Sequence, residues 1–283
     1  MRLGGSVMGP YAGPEAFAAM AKECGFRAVA FPLDYRSGTA EIDRLVKVLA
    51  EEDIVIAEVG AWGNNCLSPD KNIKKASLEN SKKQLALAEY IGACCCVNVT
   101  GSHTAQWDGP SQDSHSEEVF AEAVEAIREI LDAVNPQKTR FCIETMPYMI
   151  PDSPDCYARL IKAVDRPGFA AHLDMVNLVN SPERYYRNAD LTRECFEKFG
   201  SKIVSLHIKD ITLRPSLTVH LDECLVGEGG FDHACLLKEA AKLPPDTPAL
   251  VEHMTYQEEF KRSVALLRKK LEELEETGRS AAG

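Results

Sequence analysis

Short, nearly continuous apolar runs alternate with stretches of helical periodicity along the whole chain. The runs predict strands at Arg2–Val7, Arg27–Pro32, Ile54–Gly60, Cys94–Thr100, Arg140–Thr145, Phe169–Met175, Ile203–Lys209 and Ala249–His253. Near-continuous apolarity is what parallel strands covered by helices require. Between the runs, apolar residues recur at helical spacing, as in Phe17, Met20, Ala21 and Cys24 of Pro14–Cys24 and in Ile42, Leu45, Val46 and Leu49 of Ala40–Glu51. Asn72–Ile91 ends at Gly92, a suitable C-terminal stop, and Glu117–Ala133 carries a stripe from Val119 to Leu131. Further helices are predicted to begin near Ser153 and Ala189 and to cover Asp232–Lys242 and Gln257–Glu276. Strand–helix units repeated in this way predict an α/β protein, a single (β/α)8 TIM barrel over residues 1–276, followed by a flexible tail at Thr277–Gly283. No GxGxxG follows the first strand, which argues against an open doubly wound sheet.

Composition narrows the function classes. The chain has 283 residues, 45% hydrophobic and 27% charged, and a formal net charge of 32 − 43 = −11. That balance disfavours nucleic acid and anionic membranes as partners, since both reward clustered Lys and Arg. No apolar stretch approaches the roughly 20 residues of a transmembrane helix. The start MRLGGSVMGP lacks an apolar signal segment, and the ten cysteines form no CxxC pair. Cys94, Cys95 and Cys96 are consecutive in a strand, so their side chains alternate faces and cannot converge on one metal. The expectation is a cytoplasmic protein with reduced cysteines. Whether it forms a homo-oligomer is left open.

In a barrel of this kind the site lies where strands end and βα loops begin. Four consecutive strands end on a metal-competent residue: Glu144, Asp174, His207 and Glu252. The steps 174 − 144 = 30 and 207 − 174 = 33 match a βα unit of roughly 30 residues, whereas Glu252 follows His207 by 45. The excess is the loop Thr212–Gly230, predicted to fold over the mouth as a lid. Three carboxylates and one imidazole suit one divalent ion such as Mn2+, Mg2+ or Co2+, with Zn2+ also compatible. By strand alternation His172 shares the face of Asp174 and Lys209 that of His207, so both are candidates to contact substrate. His103 and Trp107 follow the fourth strand and Trp62 and Asn64 the third, offering an aromatic wall for a substrate at the mouth.

The stretches FCIETMP, AAHLDMVN, VSLHIKD, GEGGFD and ALVEH resemble the xylose isomerase-like barrel superfamily, in particular its sugar phosphate isomerase/epimerase-type members. The resemblance covers nearly the whole chain, and it implies one divalent ion on Glu144, Asp174, His207 and Glu252. It also marks departures from the ketose 3-epimerases. Their further glutamate corresponds to Ile150, their histidine three residues past the metal-bound aspartate to Asn177, and their substrate-gripping arginine falls one residue from Arg214. Proton transfer beside a carbonyl needs a base, an acid and a group to stabilise the enediolate oxygen. Glu144 and Glu252, outermost of four neighbouring strands, are the candidate catalytic pair, and a bound metal is the candidate stabiliser. The reading is therefore a metal-dependent sugar or sugar-phosphate isomerase or epimerase acting on a small carbohydrate. The alternative is an inosose dehydratase-type lyase on a cyclitol or keto-sugar. A metal-dependent endonuclease fits poorly with seven histidines and a charge of −11, and a non-catalytic binding barrel leaves the tetrad unexplained.

Overall fold

The computed structural model describes residues 1–282, with side chains through Thr277. Ten strands follow in chain order: β1 (Arg2–Gly5), β2 (Ala28–Ala30), β3 (Val55–Gly60), β4 (Cys95–Asn98), β5 (Arg140–Glu144), β6 (Phe169–Asp174), β7 (Ile203–Ile208), β8 (Asp210–Leu213), β9 (Leu221–Cys224) and β10 (Pro248–Val251). All but β8 and β9 close into a parallel barrel in the order β1-β10-β7-β6-β5-β4-β3-β2. The helices are α1 (Pro14–Glu23), α2 (Thr39–Glu51), α3 (Lys71–Ile91), α4 (Glu117–Val134), α5 (Pro154–Val164), α6 (Pro182–Tyr186), α7 (Asn188–Phe199), α8 (His233–Ala240) and α9 (Gln257–Ala282). The predicted fold class is thus the observed one.

Local chemistry sets these boundaries. The Asp70 carboxylate accepts from the Asn72 and Ile73 amides to start α3, and Gly92, at φ 70°, ends it. Ser116 and Ser153 cap α4 and α5 in the same way. Helix α4 buries its whole predicted stripe, Val119 to Leu131, against the barrel. Along β4 the alternation is literal. Cys95 packs inside the barrel with Val97, Cys142 and Ala170, while Cys96 faces the helical layer. Among the described residues no helix is long and apolar enough to cross a membrane.

Two features depart from the sequence reading. The last helix runs on to Ala282, past the Thr277 at which the tail was expected to begin; Gly283 lies outside the described residues. The predicted lid contains an antiparallel hairpin, with Asp210 opposite Cys224 and Leu213 opposite Leu221. Its return to the barrel is pinned, because the buried Asp210 carboxylate accepts from the amides of Ile211, Gly227, Gly229 and Phe231 at 2.8–3.1 Å. A side chain at Gly229 would collide with Asp210, so that glycine permits a close approach as well as a turn. Asp210→Ala leaves those buried donors unsatisfied and should cost about 3 kcal/mol in urea unfolding; a loss below about 0.5 kcal/mol would show that Asp210 does not anchor the loop.

Candidate metal centre at the barrel mouth

Register builds the site. Glu144 lies beside His172, and Asp174 beside His207, so β5, β6 and β7 present their polar residues inward at two adjacent levels. Glu252 directly follows β10, which pairs with β7. The tetrad therefore comes from four neighbouring strands, as the sequence predicts. His207 Nδ1 is 2.9 Å from Glu144 Oε1 and 3.1 Å from Glu252 Oε2. Ligand atoms of Glu144, Asp174, His207 and Glu252 all lie within 4.8 Å of one another. Asp174 Oδ2 and Glu252 Oε2 are buried without a hydrogen bond of good geometry, with the Lys209 ammonium in ion-pair range of both. Buried carboxylate oxygens gathered this closely fit a hard divalent cation.

Lys209 supplies charge at the same place. Its ammonium is 2.9 Å from Asp174 Oδ2, 3.4 Å from Glu252 Oε2 and 3.1 Å from Glu223 Oε1, and it donates to Asn177 Oδ1 at 3.0 Å. Burial, followed by the charge of Glu252, pushes the Glu144 carboxyl up to about 7. Burial also works to raise Glu252, but His207 and Lys209 outweigh it and hold that carboxyl well below its usual range. For His207 burial works downward and is outweighed by the charges of Glu252, Glu58 and Glu144, which raise the imidazole. Lys209 is likewise raised, with burial overcome by Asp174 and Glu252. The cluster is a set of buried anions seeking cations.

Three of its members are absent from the sequence-derived set. Glu58, buried on β3, accepts from His207 Nε2 at 3.1 Å, and its signal was a charged residue inside the otherwise apolar run Ile54–Gly60. Glu223 on β9 reaches over the mouth to His253 Nδ1 at 2.7 Å as well as to Lys209. His253 adopts φ 57°, a left-handed conformation that turns the chain immediately after Glu252. Glu223 and His253 lay in a segment read only as a lid and as a strand end.

Two cavities open beside the tetrad and share Trp62 and Glu252. One, of about 460 Å³, is lined by Asp34, Ser37, Glu58, Gln84 and His207 on the β1–β3 side. The other, of about 370 Å³, is lined by Trp107, Tyr148, Glu144, Asn177, Glu223 and His253. Trp62 stands 6.3 Å from Trp107 and 6.2 Å from the His207 ring, which makes an aromatic wall between them. Gly60 permits this, since a side chain there would overlap the Trp62 ring. The remaining candidates lie elsewhere. His172 is fully buried one level below, with neither ring nitrogen bonded, and burial drives its imidazole well below the ordinary range. His103 is held by Asp113 at 2.6 Å and Glu122 at 3.4 Å and lines neither cavity. Asn64 donates to the Ala61 carbonyl, and Arg214 is exposed on the hairpin, paired with Asp222.

The family model for the xylose isomerase-like TIM barrel matches residues 18–271. The chain belongs to that family. Among solved structures, this xylose isomerase-like barrel resembles an L-ribulose 3-epimerase at 14% identity, with a TM-score of 0.75 and coverage of 100% of this chain and 98% of the other. A probable 3-DHS dehydratase from Bacillus anthracis, involved in petrobactin synthesis, matches at 17% identity and TM-score 0.72, covering 95% and 99%. A xylose isomerase-like barrel from Mycobacterium smegmatis in complex with magnesium matches at 16% and 0.67, covering 90% and 86%. At such identities the likeness is one of fold. Among curated proteins, none matches the chain at a significant level.

Cation binding to this xylose isomerase-like barrel should depend on pH in a defined direction. A Glu144 carboxyl near 7 and a raised His207 both carry protons at pH 6 in the metal-free protein, and a cation must displace them. Mn2+ affinity should rise on the order of a hundredfold per pH unit from about 5.5 to 6.5, and less steeply as Glu144 titrates near 7. Calorimetry in buffers of different ionisation heat should show about two protons released at pH 6. No buffer dependence would contradict this charge assignment.

Proposed function

We propose that this barrel is a divalent-metal-dependent isomerase or epimerase of a small sugar or sugar phosphate. The observation that carries the reading is the pair of carboxylates, Glu144 and Glu252, meeting at His207 Nδ1 from β5 and from the end of β10, with β6 and β7 between them. Glu144, Asp174, His207 and Glu252 would hold the ion, whose contribution when bound is Lewis-acid polarisation of a substrate carbonyl. Glu144 and Glu252 exchange protons with the carbon beside that carbonyl. Acting from opposite faces they invert it, which is epimerisation; acting from one face they move the carbonyl, which is isomerisation. Lys209, fixed by Asp174, Glu223 and Asn177, places a cationic donor beside the developing oxyanion. Trp62 and Trp107 offer apolar surface to the carbon face of a sugar and exclude water from one side. The likeness in fold to an L-ribulose 3-epimerase agrees with this reading.

One observation favours the lyase reading as an alternative. His253 and Glu223 form a hydrogen-bonded pair at the mouth, with the imidazole raised first by its bond to Glu223 and its Nε2 3.6 Å from Glu252. A donor there can protonate a departing β-hydroxyl, the step that separates dehydration from isomerisation.

Turnover in D2O with Mn2+, offering ketopentoses, ketohexoses, their phosphates and inososes, tests both readings. Deuterium at the carbon beside the carbonyl supports the isomerase or epimerase, and loss of water supports the lyase. Glu144→Gln and Glu252→Gln, each at saturating Mn2+, should lower kcat by about 10²–10⁴-fold, and the double variant should lose no more than the larger single loss. Full turnover in either single variant would leave these glutamates as ligands only and shift proton transfer to Lys209 or His172.

A further inference from the structure

Glu58 occupies an expensive position. It is 3% exposed in a strand whose other residues, Val55, Ile56, Ala57, Val59 and Gly60, are apolar. An ionised carboxylate buried there costs several kcal/mol unless a partner compensates it. Its partner is His207 Nε2 at 3.1 Å, on a strand across the bore of the barrel. Glu144 and Glu252 lie at Nδ1, at 2.9 and 3.1 Å, so Glu58 is the carboxylate on the far nitrogen. The remaining neighbours of that imidazole are rings, His172 edge-to-face with centroids 4.1 Å apart and Trp62 at 6.2 Å. Ring faces hold the plane of an imidazole, but they do not choose which nitrogen carries the proton. Glu58 can.

We infer that Glu58 is a positioning residue that presents His207 to the cation. By accepting from Nε2–H it keeps the proton on that nitrogen and turns the Nδ1 lone pair toward Glu144, Asp174 and Glu252. Glu58, His172 and His207 also lie within 4.8 Å of one another and so form a second candidate ligand set. A second ion on that set would need Nε2 stripped of its proton while Nδ1 holds the first ion, which makes His207 an imidazolate. One carboxylate and one neutral imidazole compensate poorly for that, so the trio is read as support for one ion. The inference rests on the proposed metal reading of the tetrad.

Two measurements test it. Co2+ titration of the metal-free protein, followed by the visible spectrum, should show Glu58→Leu binding about 10–100-fold more weakly than wild type, with Glu58→Gln, which keeps an acceptor, losing less. Long-range 1H–15N spectra of the Zn2+-loaded wild type, with seven histidines to assign, should place the His207 proton on Nε2. Co2+ affinity of Glu58→Leu within about threefold of wild type would overturn the inference while leaving the metal reading intact. A His207 proton on Nδ1 in the loaded wild type overturns it as well, and that result does not depend on any variant folding. Wild type that takes up no Co2+ overturns both readings.

Discussion

The architecture of the mouth follows from one electrostatic constraint: carboxylates buried together must be given cations. Glu58, Glu144, Asp174 and Glu252 converge on a single imidazole and a single ammonium, His207 and Lys209. Four carboxylates thus face two groups able to carry positive charge, an excess of anions that a divalent cation would offset. The cluster as it stands shows the imbalance. Glu144 is driven toward its neutral form, while His207 and Lys209 are driven toward their charged forms. Such a set is costly in a stable core and useful at a site that binds a cation.

The barrel meets this demand through register. Parallel strands paired in step bring Glu144 beside His172 and Asp174 beside His207, and alternation turns all four into the bore. The outer parts then fix what register alone leaves free. Glu58 addresses the far nitrogen of His207, and Glu223 on the hairpin reaches back to Lys209 and His253. His233 on α8 bonds the Lys209 carbonyl at 3.0 Å, and Asp210 beside it ties down the returning loop. The segment between β7 and α8 therefore serves the site at both of its ends.

The sequence disclosed what is local and periodic. Strand runs, the helical stripes and the polar residue ending each of four successive strands were all visible because each follows from spacing along the chain. Contacts across the bore were not. Glu58, on β3, stands two strands of sequence before Glu144 on β5, and only closure of the barrel brings it to His207. The hairpin was hidden because Leu221–Cys224 is short and polar on both faces, so its alternation carries no apolar signal. His103 shows the converse. It follows a strand as a site residue would, yet Asp113 and Glu122 from its own loop and α4 hold it away from the cavities.

The central claim is that the buried anions are built around one divalent ion. A crystal structure of the protein grown with Mn2+, with anomalous data at the manganese edge, addresses it directly. The account predicts a single strong peak at roughly 2.0–2.3 Å from Glu144, Asp174, His207 Nδ1 and Glu252, with Glu58 still on His207 Nε2. No peak at the mouth, with Lys209 still bridging Asp174 and Glu252, would contradict it.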